Sequence, residues 1–197
     1  MKGQIHTNNF LRAMLIKEVG LRKGKNTISH CYFHSVEGYD RIFFIADAAF
    51  NMYPDLAAKA DITQNTVGLA RSFGVAEPKV AVLAAVEVVN PDMPATLDAA
   101  ALTQMNRRGQ IKNCIVDGPF ALDNAVSEES AKTKGIVSPV AGKADIFIVP
   151  NIDAGNMLAK GIVYFSKNET AGLILGASAP IVLTSRADST RAKLLSI

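Results

Sequence analysis

Seven consecutive apolar residues, Val80-Ala81-Val82-Leu83-Ala84-Ala85-Val86, constrain the fold of this chain more than any other segment. A strand with one wet face alternates apolar and polar residues. A run without alternation is buried on both faces, as in a parallel sheet held between two layers of helices. Pro78 opens this unit, and a helix is predicted from Pro94 to Met105. The same alternation of short apolar runs and helical patterns extends along the chain. Strands are predicted over Thr27–Phe33, Arg41–Ile45, Ile115–Val116, Ala144–Val149, Gly172–Gly176 and Ile181–Leu183. Helices are predicted from Asn8 or Asn9 to Val19, from Pro54 to Ala70, from Ala154 or Gly155 to Phe165, and from Asp188 to Ile197. Leu122–Thr133 is polar, and reads as lid-like or helical. Strands alternating with helices predict an α/β fold with a mainly parallel sheet.

The chain has 197 residues, 49% of them hydrophobic and 20% charged, enough for one large or two small domains. Glu77-Pro78 is a plausible hinge between two lobes. No run approaches the roughly 18 apolar residues of a membrane helix, and the N-terminus lacks the basic-then-apolar order of a signal peptide. A net charge of +3 is too small to point to nucleic acid. The two cysteines, Cys31 and Cys114, read as free thiols of a reducing cytosol.

Three polar segments each follow a predicted strand: Asp117-Gly118-Pro119-Phe120, Pro150-Asn151-Ile152-Asp153-Ala154-Gly155-Asn156, and Thr184-Ser185-Arg186-Ala187-Asp188-Ser189. Open α/β sheets bind ligands at the carboxyl ends of strands. In the third segment a guanidinium that can fork onto two oxygens stands beside a hydroxyl, so Arg186 is the candidate for phosphate and Ser185 for an oxyanion. A helix starting near Asp188 would add free N–H groups. The plainer reading, with Ser185 and Asp188 as helix caps and Arg186 as a surface charge, stays open beside it.

These segments, in this order, resemble the phosphate acyltransferases, the phosphate acetyl- and butyryltransferases, and the resemblance runs over the whole chain. Lys2-Gly3, His6-Thr7 before Leu11-Arg12, and the Thr184–Ser189 segment are closer to the butyryl branch. The resemblance implies acyl transfer between coenzyme A and inorganic phosphate, with acetyl transfer or a non-catalytic coenzyme A-binding member of the same fold as alternatives. It implies two α/β/α lobes with mainly parallel sheets around an interdomain cleft, as in isocitrate and isopropylmalate dehydrogenases. Residues 1–76 and 181–197 would form the first lobe, and 77–180 a second, dimerising lobe. Family members extend further at the amino end, so Met1 is expected to be an internal position. Catalysis would fall to Ser185, Arg186 and Asp188. Substrates would meet Arg12, Thr7, Asp117, Asn151, Asn156, Ser138 and Lys143. The acetyl branch carries an aspartate where this chain has Ala192, so a base at Asp188 and no dedicated base both stay open. Coenzyme A would be a substrate, with no permanently bound cofactor and no metal. The partners would be acyl-CoA, phosphate and a second copy of the chain, in the cytoplasm.

The segment His30-Cys31-Tyr32-Phe33-His34 puts two histidines on one strand face about 13 Å apart, too far for one ion. Dinucleotide, P-loop and nucleophile-elbow glycine patterns are absent from the sequence. The metal carboxylates and nicotinamide site of a dehydrogenase on a related scaffold find no counterpart.

Overall fold

The computed structural model describes residues 5–14, 16, 20–21, 24, 26–183 and 189–197, apart from the side chains of Thr7 and Asn8. Among these residues one seven-stranded sheet runs in the order β4-β3-β5-β2-β1-β6-β7. The strands are β1 (Ser29–Val36), β2 (Phe43–Ala46), β3 (Lys79–Leu83), β4 (Ile115–Phe120), β5 (Ile146–Ile148), β6 (Asn168–Leu175) and β7 (Ile181–Val182). The helices are α1 (Thr7–Met14), α2 (Leu56–Ser72), α3 (Pro94–Arg107), α4 (Leu122–Val126), α5 (Glu128–Thr133), α6 (Ile152–Phe165) and α7 (Thr190–Leu195).

The block β4-β3-β5-β2 is parallel, and its inner strands are buried on both faces, as the apolar run at Val80 requires. Phe44, Val80, Val82 and Ile146 face α2 and α3 through Ile62, Val67 and Leu102. Their neighbours Ile45, Ala81, Leu83 and Phe147 face α4, α5 and α6 through Ala125, Ala131 and Ala159. The period of two along each strand thus fills two cores. Asp55 starts α2 by accepting Ala58 N–H at 2.8 Å, and Pro94 starts α3, where a missing N–H leaves no bond unmade.

The other wing is antiparallel: β1 against β2 and β6, and β6 against β7. For β1 with β2 and for β6 with β7 the cause is connection length. Six residues separate β1 from β2 and five separate β6 from β7, too few for the crossover that parallel neighbours need. A third cluster at this wing, Ile28, Ile174, Ile181 and Leu183, seats α1 through Phe10, Leu11 and Met14.

Two expectations change. The Asp117-Gly118-Pro119 segment is not a turn but part of β4, which continues to Phe120 and whose carbonyl accepts Ala84 N–H at 2.8 Å. β4 is an edge strand, where a proline without N–H is tolerated. Helix α1 is described over Thr7–Met14 and Ile16 is not helical, while Leu15 and Val19 of the expected helix lie outside the described residues. The sheet also runs without interruption across the junction at 76/77: β2, from before it, pairs with β5, from after it.

Candidate functional site

The connection leaving β3 leads through α3 to β4, and the one leaving β5 leads through α6 in the opposite direction to β6. β3 and β5 are neighbours, so their carboxyl ends mark the point where the strand order reverses. A crevice forms at such a point in open α/β sheets. The turn Val149–Asn151 sits there, with the loop that follows β2 beside it.

That loop is organised by Asp47, only 3% exposed. Its Oδ1 accepts the N–H groups of Ala49 at 3.0 Å and Phe50 at 2.9 Å. Its Oδ2 accepts His30 N–H at 3.1 Å, Asn51 N–H at 3.2 Å and Asn51 Nδ2 at 2.6 Å. Asn51 Nδ2 also donates to Ile28 O at 2.9 Å. Asp47 and Asn51 are not among the residues that the sequence singles out for the site. An Asp closing a buried strand, with small residues and an Asn before Pro54, is the signal that marks such a turn.

Asn151 caps α6, its Oδ1 accepting Ala154 N–H at 3.0 Å. Ile152 N–H donates to Met52 O at 3.0 Å. Two first-turn donors of α6 therefore already have protein acceptors, which limits what this helix end offers an anion. Asn156 Nδ2 donates to Ala48 O at 3.1 Å, binding α6 to the Asp47 loop. Gly155 makes that approach possible: a Cβ there would lie 2.7 Å from Val149 Cγ2 and 3.0 Å from Ala48 Cα. Asn151, Asn156 and the Asp47 loop therefore form one body at the carboxyl edge.

The remaining candidates are distributed elsewhere. Ser138 and Lys143 line a groove of about 280 Å³ beside α5. Ser138 Oγ accepts Val140 N–H at 3.1 Å, and Lys143 Nζ lies 3.6 Å from Glu128. This groove approaches the opposite edge of the sheet, because Lys143 O accepts from Arg41 Nη1, just before β2, at 3.2 Å. Asp117 lies midway along β4, its Oδ1 accepting Gly118 N–H at 2.9 Å. Gly118 is needed where β4 presses on β3, since a Cβ would lie 2.8 Å from Val82 O. Arg12 is exposed on α1 without a partner among the described residues, and Thr7 is the first residue of that helix. Ser185, Arg186 and Asp188 lie outside the described residues. Ser189, which follows Asp188 directly, caps α7 by accepting Ala192 N–H at 3.1 Å. It lines a cleft of about 620 Å³ with Tyr32, Lys160, Tyr164, Thr170 and Arg191, the last ion-paired with Glu169. This cleft depends on the packing of α6, β6 and α7, which sequence spacing does not display.

Neither cysteine is activated. Burial, with the charge of Asp47 behind it, pushes the Cys31 thiol up, and burial pushes Cys114 up to about 11. Both stay protonated at neutral pH, so neither is poised as a thiolate nucleophile. Among the described residues no group of three or more His, Cys, Asp and Glu could hold a metal ion, and no helix is long and apolar enough to cross a membrane.

Residues 1–197 match the family model described as phosphate acetyl/butaryl transferase. The chain is 54% identical over 197 residues to a phosphate butyryltransferase of Clostridium acetobutylicum, covering 100% of this chain and 65% of that relative. It is 49% identical over 196 residues to a phosphate acetyltransferase of Rhizobium meliloti, covering 100% of this chain and 62% of that one. A branched-chain phosphotransacylase from Enterococcus faecalis V583 superposes with a TM-score of 0.89 at 37% identity, over 99% of this chain and 69% of its own. The chain thus spans 62% and 65% of the length of these two curated relatives.

Proposed function

Because the chain belongs to the phosphate acetyl/butyryl transferase family, we propose that it moves a short acyl group, butyryl or similar, between coenzyme A and inorganic phosphate. The match over every residue, at 54% identity to a phosphate butyryltransferase, is the observation that carries this reading. In the direction of acyl phosphate synthesis, a phosphate oxygen attacks the thioester carbonyl. A C–O bond forms, an oxyanion develops, and the C–S bond breaks to release the coenzyme A thiolate. Arg186 and Arg12 hold the phosphate, and Ser185 donates to the oxyanion, where fixed donors are most effective. Asp188 is the candidate base. Thr7, Asn151, Asn156, Asp117 and Ser138 are the candidate cleft residues, and Lys143 is the candidate for the coenzyme A phosphates. The supply of the thiol by coenzyme A agrees with two cysteines whose thiols are not activated.

The finer form of the proposal is a homodimer in the cytoplasm with a two-lobed, isocitrate/isopropylmalate dehydrogenase-like arrangement. The seven-stranded sheet, continuous through 76/77, would be the body of one lobe. Thiol release from butyryl-CoA and acetyl-CoA, with and without phosphate, tests the reaction. Phosphate-dependent release, faster with butyryl-CoA and lost in Arg186→Ala, is expected. Binding of coenzyme A without any release would leave a non-catalytic member of the fold.

A further inference from the structure

We infer that Asp47 is a positioning residue: it holds the loop after β2 as a rigid bracket between α6 and α1, and so sets the placement of Arg12 relative to Asn151 and Asn156. The inference rests on the acyl-transfer reading above. Asp47 is buried, no cation among the described residues pairs with it, and five N–H donors converge on its two oxygens. Hydrogen bonds to an ionised acceptor are roughly twice as strong as neutral ones, so residues 47–51 are held in one conformation.

The loop joins what the chain keeps apart. On one side Ala48 O accepts from Asn156 Nδ2, and the Cα of Gly155 sits where no methyl would fit. On the other side Phe50 packs against the cluster of Ile28, Ile174, Ile181 and Leu183, the same cluster on which α1 rests through Phe10, Leu11 and Met14. Asn51 Nδ2 adds a bond to Ile28 O, within that cluster. Arg12 is carried by α1, and Asn151 and Asn156 by α6, so the bracket couples a candidate phosphate cation to the candidate cleft turn. A misplacement of about 1 Å between such groups lowers rates on the order of 10²-fold.

An amide at position 47 can serve one donor set and turns its own N–H₂ towards the other. Asp47→Asn is therefore compared with Arg12→Ala and the double variant by steady-state kinetics with phosphate varied. Amide hydrogen exchange is followed on wild type and Asp47→Asn. We expect Asp47→Asn to raise the KM for phosphate and to lower kcat/KM about 10- to 100-fold. In the Arg12→Ala background the same change should cause less than about a twofold further loss, because coupled residues are not additive. Exchange should quicken together in α1 and the first turn of α6, while β3 and β5 keep their protection. Multiplicative losses, or quickened exchange throughout the sheet, would reduce Asp47 to a general stabiliser and overturn the inference. If Asp47→Asn does not fold, Phe50→Ala keeps the carboxylate's donors, loosens only the seat of α1, and enters the same cycle. A wild-type protein without phosphate-dependent turnover overturns the acyl-transfer reading and the positioning role with it. Exchange unchanged in α1 and α6 overturns the bracket independently of any activity.

Discussion

His34 shows how far one side chain can be argued. It is fully buried on β1, stacked on Phe43, with Nδ1 2.8 Å from Thr170 Oγ1. The Thr170 hydroxyl gives its one proton to Asn168 Oδ1 at 2.7 Å, while Asn168 Nδ2 donates to backbone carbonyls at the end of α6. Thr170 must then accept from His34, which fixes the neutral Nδ1–H tautomer. Burial lowers its pKa to about 4 from 6.5. The neutral form is the one the folded state favours. The stability it contributes is present in full above pH 6.5 and is lost as pH falls towards 4, by about 3 kcal/mol at most. His34→Gln, which keeps a donor for Thr170, should flatten this part of the profile; urea midpoints at pH 7 and pH 4.5 for both proteins read the difference. An equal fall in the two would remove His34 from the acid response. The strand and the shared face of His30, Tyr32 and His34 were legible in the sequence, because period two is a local property. The partner on β6 was not, since it lies 136 residues away. Asn156 teaches the same lesson. Its residue type announced a donor, but its acceptor, Ala48 O, comes from another part of the chain.

Between elements, two contacts decide how the helices sit. Lys59 on α2 reaches Asp98 on α3 at 2.6 Å, and the lysine is the more buried partner, its side chain 6% exposed against 27%. The two ends should therefore respond unequally. Asp98→Ala strands a buried ammonium and should cost about 3–5 kcal/mol, whereas Lys59→Met leaves a carboxylate that water already reaches and should cost less. Chemical denaturation of the two variants checks the order, and equal losses would contradict it. Gly155→Ala pushes α6 away from Val149 and the Asp47 loop. Overpacking of this kind costs about 1–3 kcal/mol, visible as a lower Tm, and an unchanged Tm would mean that α6 can shift freely. Helix positions followed from apolar spacing and from signals such as Pro94 and Gly74. The end of β4 did not, because Asp-Gly-Pro has the composition of a turn. What keeps that segment in the sheet is its pairing with β3, Asp117 opposite Ala81 and Phe120 opposite Leu83, so close that a Cβ at Gly118 would meet Val82 O.

For the molecule as a whole, the pairing of β5 with both β2 and β3 makes the sheet one cooperative unit. Pieces divided at 76/77 should not fold alone, since each would expose a strand buried on both faces in the intact protein. Circular dichroism of the separate pieces, and of their mixture, tests this, and a cooperative thermal transition in the piece 77–197 by itself would contradict it. The α/β class was readable from alternation, while the strand order was not, because nothing local says that β5 enters between two strands made long before it. That order has a consequence for birth on the ribosome. Synthesis delivers β2, α2, β3, α3 and β4 while the slot between β2 and β3 is still vacant. Until residue 148 has left the exit tunnel, the edges of β2 and β3 that flank this slot stay unpaired and apolar, the kind of surface that recruits other chains. β5 is the keystone, and the interval before its arrival is when this protein most needs a chaperone.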